Sequence, residues 1–205
     1  MKTYLDRMTL CAALALATAL GGGCAMPKTS GFLSNYSRLT KVDDSTWRYV
    51  DTARLATYDN YMIAPVKVLV TSYNSTPLTP EQQQQAADRF RSIITKALTG
   101  QCELVDKPSG KTAEIRAAIT AAYPVGASLT LGLEGEIIDP VSGQQLAAVM
   151  KYQAGAPHIQ GGPPDLSNNL YGGGWWNQHS AVWIMEQWAD ELRKAVQKID
   201  QSGKK

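Results

Sequence analysis

The chain predicts an α+β domain, a single mixed β-sheet of about five strands with two helices on one face. Three observations predict it. A strongly capped amphipathic helix lies between a valine-rich run and a short apolar run, the pattern of a strand–helix–strand crossover. The segments after it alternate apolar and polar residues and are separated by turn residues, as antiparallel strands do. A second amphipathic stripe then closes the chain.

The elements follow in order. Thr46-Trp-Arg-Tyr-Val50 has the aromatic and β-branched character of a short strand. Tyr61 to Thr71 reads as the first long strand, with Val66, Val68 and Val70 on one face and Leu69 on the other. Pro65 cannot donate to a ladder and so belongs at an edge or near the strand's start. Tyr73 to Leu78 is a turn-rich connection. Thr79-Pro80-Glu81-Gln82 opens a helix: Thr79 caps, Pro80 occupies the first helical position, and Gln82 can close a capping box. Ala86/Ala87, Phe90, Ile93/Ile94 and Ala97/Leu98 form its apolar stripe, and Gly100 stops it.

Cys102 to Asp106 reads as a short strand and Lys107 to Lys111 as a turn. Ala113–Ala121 and Ser128–Ile138 both alternate, with Asp139–Gly143 as a hairpin loop and Leu146–Tyr152 as the returning strand. From Gln153 to Trp176 the pattern dissolves into Gly, Pro and Asn, a length that is usually mobile or functional. Ser180 to Ile199 is the second helix, with Ala181, Met185, Trp188, Leu192, Ala195/Val196 and Ile199 on its stripe. The order is strand, helix, strand, strand, hairpin, helix. The crossover pair is expected to be parallel and the later strands antiparallel.

The first two dozen residues carry an address. Lys2 and Arg7 precede an uncharged run of 13 residues, Met8–Leu20, which is too short to span a bilayer. Gly21-Gly22-Gly23-Cys24 follows. This resembles the signal of bacterial lipoproteins, in which the cysteine becomes the acylated first residue. The family usually has Leu three positions before the cysteine, where Gly21 stands here. Cleavage after Ala17-Thr18-Ala19 or Gly23-Cys24-Ala25 is the alternative. The expected organisation is a signal peptide at 1–23, a lipid-linked polar tether at 24–42, and one α+β domain at 43–205. Ala25 after the cysteine, rather than the aspartate that retains lipoproteins at the inner membrane of enteric bacteria, implies an outer-membrane anchor facing the periplasm.

Bulk properties narrow the function. Of the 205 residues, 44% are hydrophobic and 19% charged, the balance of a soluble globular domain. A net charge of +2 with no basic patch makes nucleic acid an unexpected partner. Cys11 leaves with the leader and acylation consumes Cys24, so no second cysteine remains for an intramolecular disulfide, and Cys102 is expected as a reduced, largely buried thiol at the entry of a core strand. If Cys24 is not acylated, a Cys24–Cys102 bridge becomes available.

Catalytic and metal motifs are sparse. Ser109-Gly110-Lys111-Thr112 ends like a phosphate loop, but Val105 stands where Gly is required and a strand follows instead of a helix. His158 and His179 lack further ligands, so neither metal nor cofactor is expected. Glu134 and Glu136 share a strand face about 7 Å apart and could do acid–base work; the regular apolar face opposite instead reads them as solvated. The aromatic residues Tyr171, Trp175 and Trp176 flank Gly172–Gly174, and with Trp183 they are the candidate binding residues, able to stack on a sugar or anchor a protein. The competing reading folds these rings back over the sheet.

Gly31-Phe32-Leu33-Ser34-Asn35-Tyr36-Ser37-Arg38-Leu39 is the most specific segment. It resembles the opening of bacterial lipoproteins grouped as domain of unknown function 3313, and the later elements fall in that family's order. Between Tyr123 and Ser128 this chain is shorter than those relatives. The resemblance implies an envelope lipoprotein of unassigned role with no catalytic residues to carry over. The expectation is a non-enzymatic lipoprotein that binds a periplasmic protein, or alternatively a glycan- or peptidoglycan-binding module using residues 171–176.

Overall fold

A computed structural model describes residues 29–73, 75–108, 110–125, 128–155 and 179–203. The strands are β1 (Thr40–Asp43), β2 (Thr46–Val50), β3 (Asn60–Ile63), β4 (Lys67–Val68), β5 (Ser72–Tyr73), β6 (Thr76–Pro77), β7 (Glu103–Leu104), β8 (Thr112–Val125), β9 (Ser128–Ile138) and β10 (Gln145–Ala154). The helices are α1 (Thr52–Leu55), α2 (Pro80–Leu98) and α3 (His179–Gly203). An eight-stranded mixed sheet runs β1-β2-β10-β9-β8-β3-β7, with β4 also pairing β8; β5 and β6 form a separate hairpin.

The α+β class and the mixed sheet stand, but about five strands was too few. The extra strands are short, two to four residues each, and carry no periodicity long enough to read. The run from Tyr61 to Thr71 is two strands instead of one. Ile63 aligns with Ile115 and Lys67 with Ala118, so one extra residue is accommodated around Pro65. The proline thus sits where no ladder N–H is needed.

The crossover β3–α2–β7 is parallel, as the pattern predicts. The next connection corrects the antiparallel expectation. β7 lies at the sheet's edge and β8 on the other side of β3, both parallel to it. Because β7 has only two residues, the short segment 105–111 brings the chain back to start β8 beside Asn60. Cys102, expected in a core strand, therefore precedes an edge strand and is a half-buried thiol, its sulfur 3.9 Å from the Leu98 carbonyl oxygen.

α2 begins as read. The Gln82 N–H donates to Thr79 Oγ1 (3.3 Å), and the Thr79 N–H donates to Gln82 Oε1 (2.9 Å). Gly100, at φ +76°, turns the chain out beyond the helix. Thr79→Ala should cost about 1 kcal/mol by chemical denaturation, the usual loss for an N-cap hydroxyl.

Both long helices cover one sheet face. Phe90 and Ile94 of α2 and Ile184, Trp188 and Val196 of α3 share a core with Ile115, Ile119, Leu131, Leu133 and Ile137. The Phe90 and Trp188 rings meet edge to face at 5.3 Å. The alternate residues of β8, β9 and β10 point to the second face, where Ala118, Ala148, Met150 and Trp47 pack with Phe32, Leu33 and Leu39. That second core is the fold's main departure from the sequence reading.

Candidate functional site

The site is built on the second face from the alternation of β9. Leu131, Leu133 and Ile137 face the helices, so Glu134 and Glu136 must face the other way. Solvated carboxylates were expected there. Instead Glu134 is 0% and Glu136 2% exposed, because residues 30–39 fold back over them. The neighbours leave room for this cover: Ala118 lies opposite Glu134, and Ala148 opposite Glu136.

Glu136 is the centre of the clasp. Its Oε2 accepts from the Ser34 N–H (2.8 Å), the Ser34 hydroxyl (2.8 Å) and the Gln145 amide (3.0 Å). Its Oε1 lies 2.9 Å from Nη1 of Arg116, its direct cross-strand partner. That approach is an ion pair rather than a well-aimed hydrogen bond, since Oε1 meets no hydrogen-bond geometry. Arg116 also lies over the Phe32 ring, 5.6 Å from its centre. A carboxylate taken out of water is tolerated when charge and hydrogen bonds replace hydration, and here the clasp supplies two of the three hydrogen bonds.

Tyr36 makes the second fastening. Its hydroxyl donates to Glu134 Oε2 at 2.5 Å and accepts from the Leu33 N–H at 3.2 Å. Burial, reinforced by the bond to Glu134, raises the Tyr36 pKa above its ordinary value. Burial followed by the Glu134 charge does the same to Tyr152. A raised phenol pKa stabilises the fold fully below the unfolded value, and that contribution disappears as pH climbs through the raised one. Both tyrosines therefore stay protonated at neutral pH, which keeps the Tyr36 hydroxyl a donor to Glu134. Glu134 Oε1 is buried without a hydrogen-bond partner. Arg38 closes the end of the segment, donating to the Tyr49 hydroxyl (3.1 Å) and the Gln145 carbonyl (3.2 Å).

Acid–base catalysis needs access for a substrate and for water. Both carboxylates are closed off and engaged in holding the segment, so the pair acts as a fastening. Ser34, Tyr36, Arg116 and Gln145 were not singled out by sequence reasoning. The legible signal was Phe32, Leu33 and Leu39, three large apolar residues within a stretch read as polar tether.

A second feature lies on the helix face, where α3 leaves part of the sheet uncovered. Trp188, Leu192, Ala195 and Ile199 wall a groove floored by Gly135 and Val149. Glu191 at its rim pairs with Lys151 at 2.6 Å.

Of the residues chosen from sequence, Trp183 lies on α3, half-buried against the main core. Cys24, Tyr171, Trp175 and Trp176 lie outside the described residues, as does His158. Thr112 opens β8, so a strand does follow the phosphate-loop-like tetrapeptide.

Residues 28–129 match the model of the family described as "Protein of unknown function (DUF3313)". Over those residues the chain belongs to the DUF3313 family. The DUF3313 match contains Ser34, Tyr36 and Arg116 but ends before Glu134, Glu136 and Gln145. No curated protein matches the chain. Among solved structures, a PelC dodecamer from Paraburkholderia phytofirmans is 12% identical with a TM-score of 0.48, covering 75% of this chain and 96% of that one. A hypothetical protein, CT253, from Chlamydia trachomatis is 12% identical at TM-score 0.42, covering 70% and 99%. A Xanthomonas campestris protein of the DUF330 family is 10% identical at 0.44, covering 70% and 86%. Similarity at this level transfers no activity to the chain.

Proposed function

We propose that this protein is a non-enzymatic lipoprotein of the cell envelope, anchored through a lipid on Cys24 at the outer membrane and binding a periplasmic protein. The leader ending in Gly21-Gly22-Gly23-Cys24 supports the anchor. Among the described residues no helix is long and apolar enough to cross a membrane. The observation that carries the non-enzymatic reading is the burial of Glu134 and Glu136 under residues 30–39, which turns the best acid–base pair in the sequence into a structural fastening. The groove beside α3 supports a protein partner, because an apolar floor with a charged rim suits the side chains of another protein.

Two measurements on the full chain test this. Cys24→Ser should move the protein from the membrane fraction to the soluble one, and the wild type should yield an acylated N-terminal peptide by mass spectrometry. A mutant that stays in the membrane fraction, with no acylated peptide from the wild type, defeats the anchor. Leu192→Glu should abolish one specific in-cell cross-linked product while the circular dichroism spectrum stays native. An unchanged cross-link pattern would remove the groove from the proposal.

A further inference from the structure

We infer that the clasp sets how far the domain stands from the membrane and which face it turns toward it. This inference rests on the lipid-anchored reading and goes beyond it. A polar tether from Cys24 to the start of β1 at Thr40 could reach about 54 Å, at ~3.4 Å per residue. Among the described residues the chain is first buried at Phe32, and from Cys24 to Phe32 the limit is about 27 Å. Docking residues 32–39 therefore halves the leash without shortening the chain.

The fastening is suited to this task in its chemistry. Phe32 and Leu33 alone would hold the segment by apolar contact, which is indifferent to small slips along the chain. Ser34 directs both its backbone N–H and its hydroxyl at one oxygen of Glu136, and Tyr36 directs its hydroxyl at Glu134. Three directional bonds from two residues, two positions apart, define one register. The other Glu136 partners, Arg116 and Gln145, belong to the sheet, so the receiving carboxylate is held in place by the domain itself.

Orientation follows from the same geometry. The leash leaves from the second sheet face, which a short anchor turns toward the bilayer. The groove beside α3 lies on the opposite face, lined by Trp188, Leu192 and Ile199, and is turned toward the periplasm. In this arrangement the lipid presents the groove instead of burying it.

The test uses full-length acylated protein on supported bilayers of phosphatidylethanolamine and phosphatidylglycerol, read by neutron reflectometry and amide hydrogen exchange. In the wild type the Ser34 and Leu39 amides should be protected, and the protein layer should begin within about 27 Å of the headgroups. Ser34→Ala combined with Tyr36→Phe should speed exchange at residues 33–39 by about tenfold or more, the scale on which a locally opened segment departs from its closed state. The same variant should move the layer outward by roughly 10–20 Å, within the limit set by the released leash. An eight-residue Gly-Ser insert after Ala25 should move the layer outward while those amides stay protected, which keeps the test valid if the double variant misfolds.

Wild-type amides that exchange as fast as a free peptide would overturn the inference. So would a layer that stays in place although the clasp is shown to be open, or one that ignores the insert. Mass spectrometry separates these failures from that of the anchor itself: an unacylated Cys24 defeats both proposals at once.

Discussion

Replacing Glu136 by Ala should destabilise the domain by about 3 kcal/mol, the lower end of the range for removing one partner of a buried ion pair. The lower end applies because Arg116 keeps 29% side-chain exposure and can turn partly to water once its partner is gone. The loss has a second component. The Ser34 N–H, the Ser34 hydroxyl and the Gln145 amide all lose their acceptor together, and residues 30–39 lose their fastening. Glu136→Gln separates the two components, since an amide oxygen still accepts from Ser34 while the charge is gone. It should cost about 1–2 kcal/mol, the scale of a charge-assisted hydrogen bond. Denaturant unfolding measures both. Equal losses for Ala and Gln would show that charge alone matters, and no loss for either would mean that the carboxylate is not engaged as described.

Gly135→Ala should be nearly as damaging, although it adds one methyl group. A Cβ at that position would lie 2.5 Å from Cζ2 and 2.8 Å from Cη2 of the Trp188 indole. The ring is 3% exposed and held edge to face by Phe90, so it cannot give way without losing that contact. Overpacking of this kind typically costs about 1–3 kcal/mol, and a rigid ring places the expected value near the top of that range. The glycine is thus a flat seat on which α3 settles against the sheet. Trp188→Phe, which shortens the ring over the seat, should recover part of the loss in the double mutant, a non-additivity expected of residues in contact. Purely additive losses would show that the indole is not what the new methyl meets.

Local chemistry was legible wherever it is settled within a few residues. The capping box of α2, the alternation of β8 and β9, and the hairpin at Asp139–Gly143 each depend on neighbours along the chain. The parallel direction of the crossover was legible too, because it follows from chain geometry. The short strands were not. A two-residue strand such as β4 or β7 exists only because a long neighbour offers a free edge.

The carboxylate pair shows the division most clearly. Alternation establishes that Glu134 and Glu136 point away from the helices. It says nothing of what lies above them, and the covering residues stand 98 to 102 positions earlier in the chain. Sequence by itself determined the α+β class, the capped start of α2 and the membership of residues 28–129 in their family. Tertiary structure alone decided that two glutamates expected in water are buried, and that a segment read as tether is part of the fold. The physical reason is that a residue's face follows from local geometry, whereas its burial depends on which distant segment finds lower free energy by covering it.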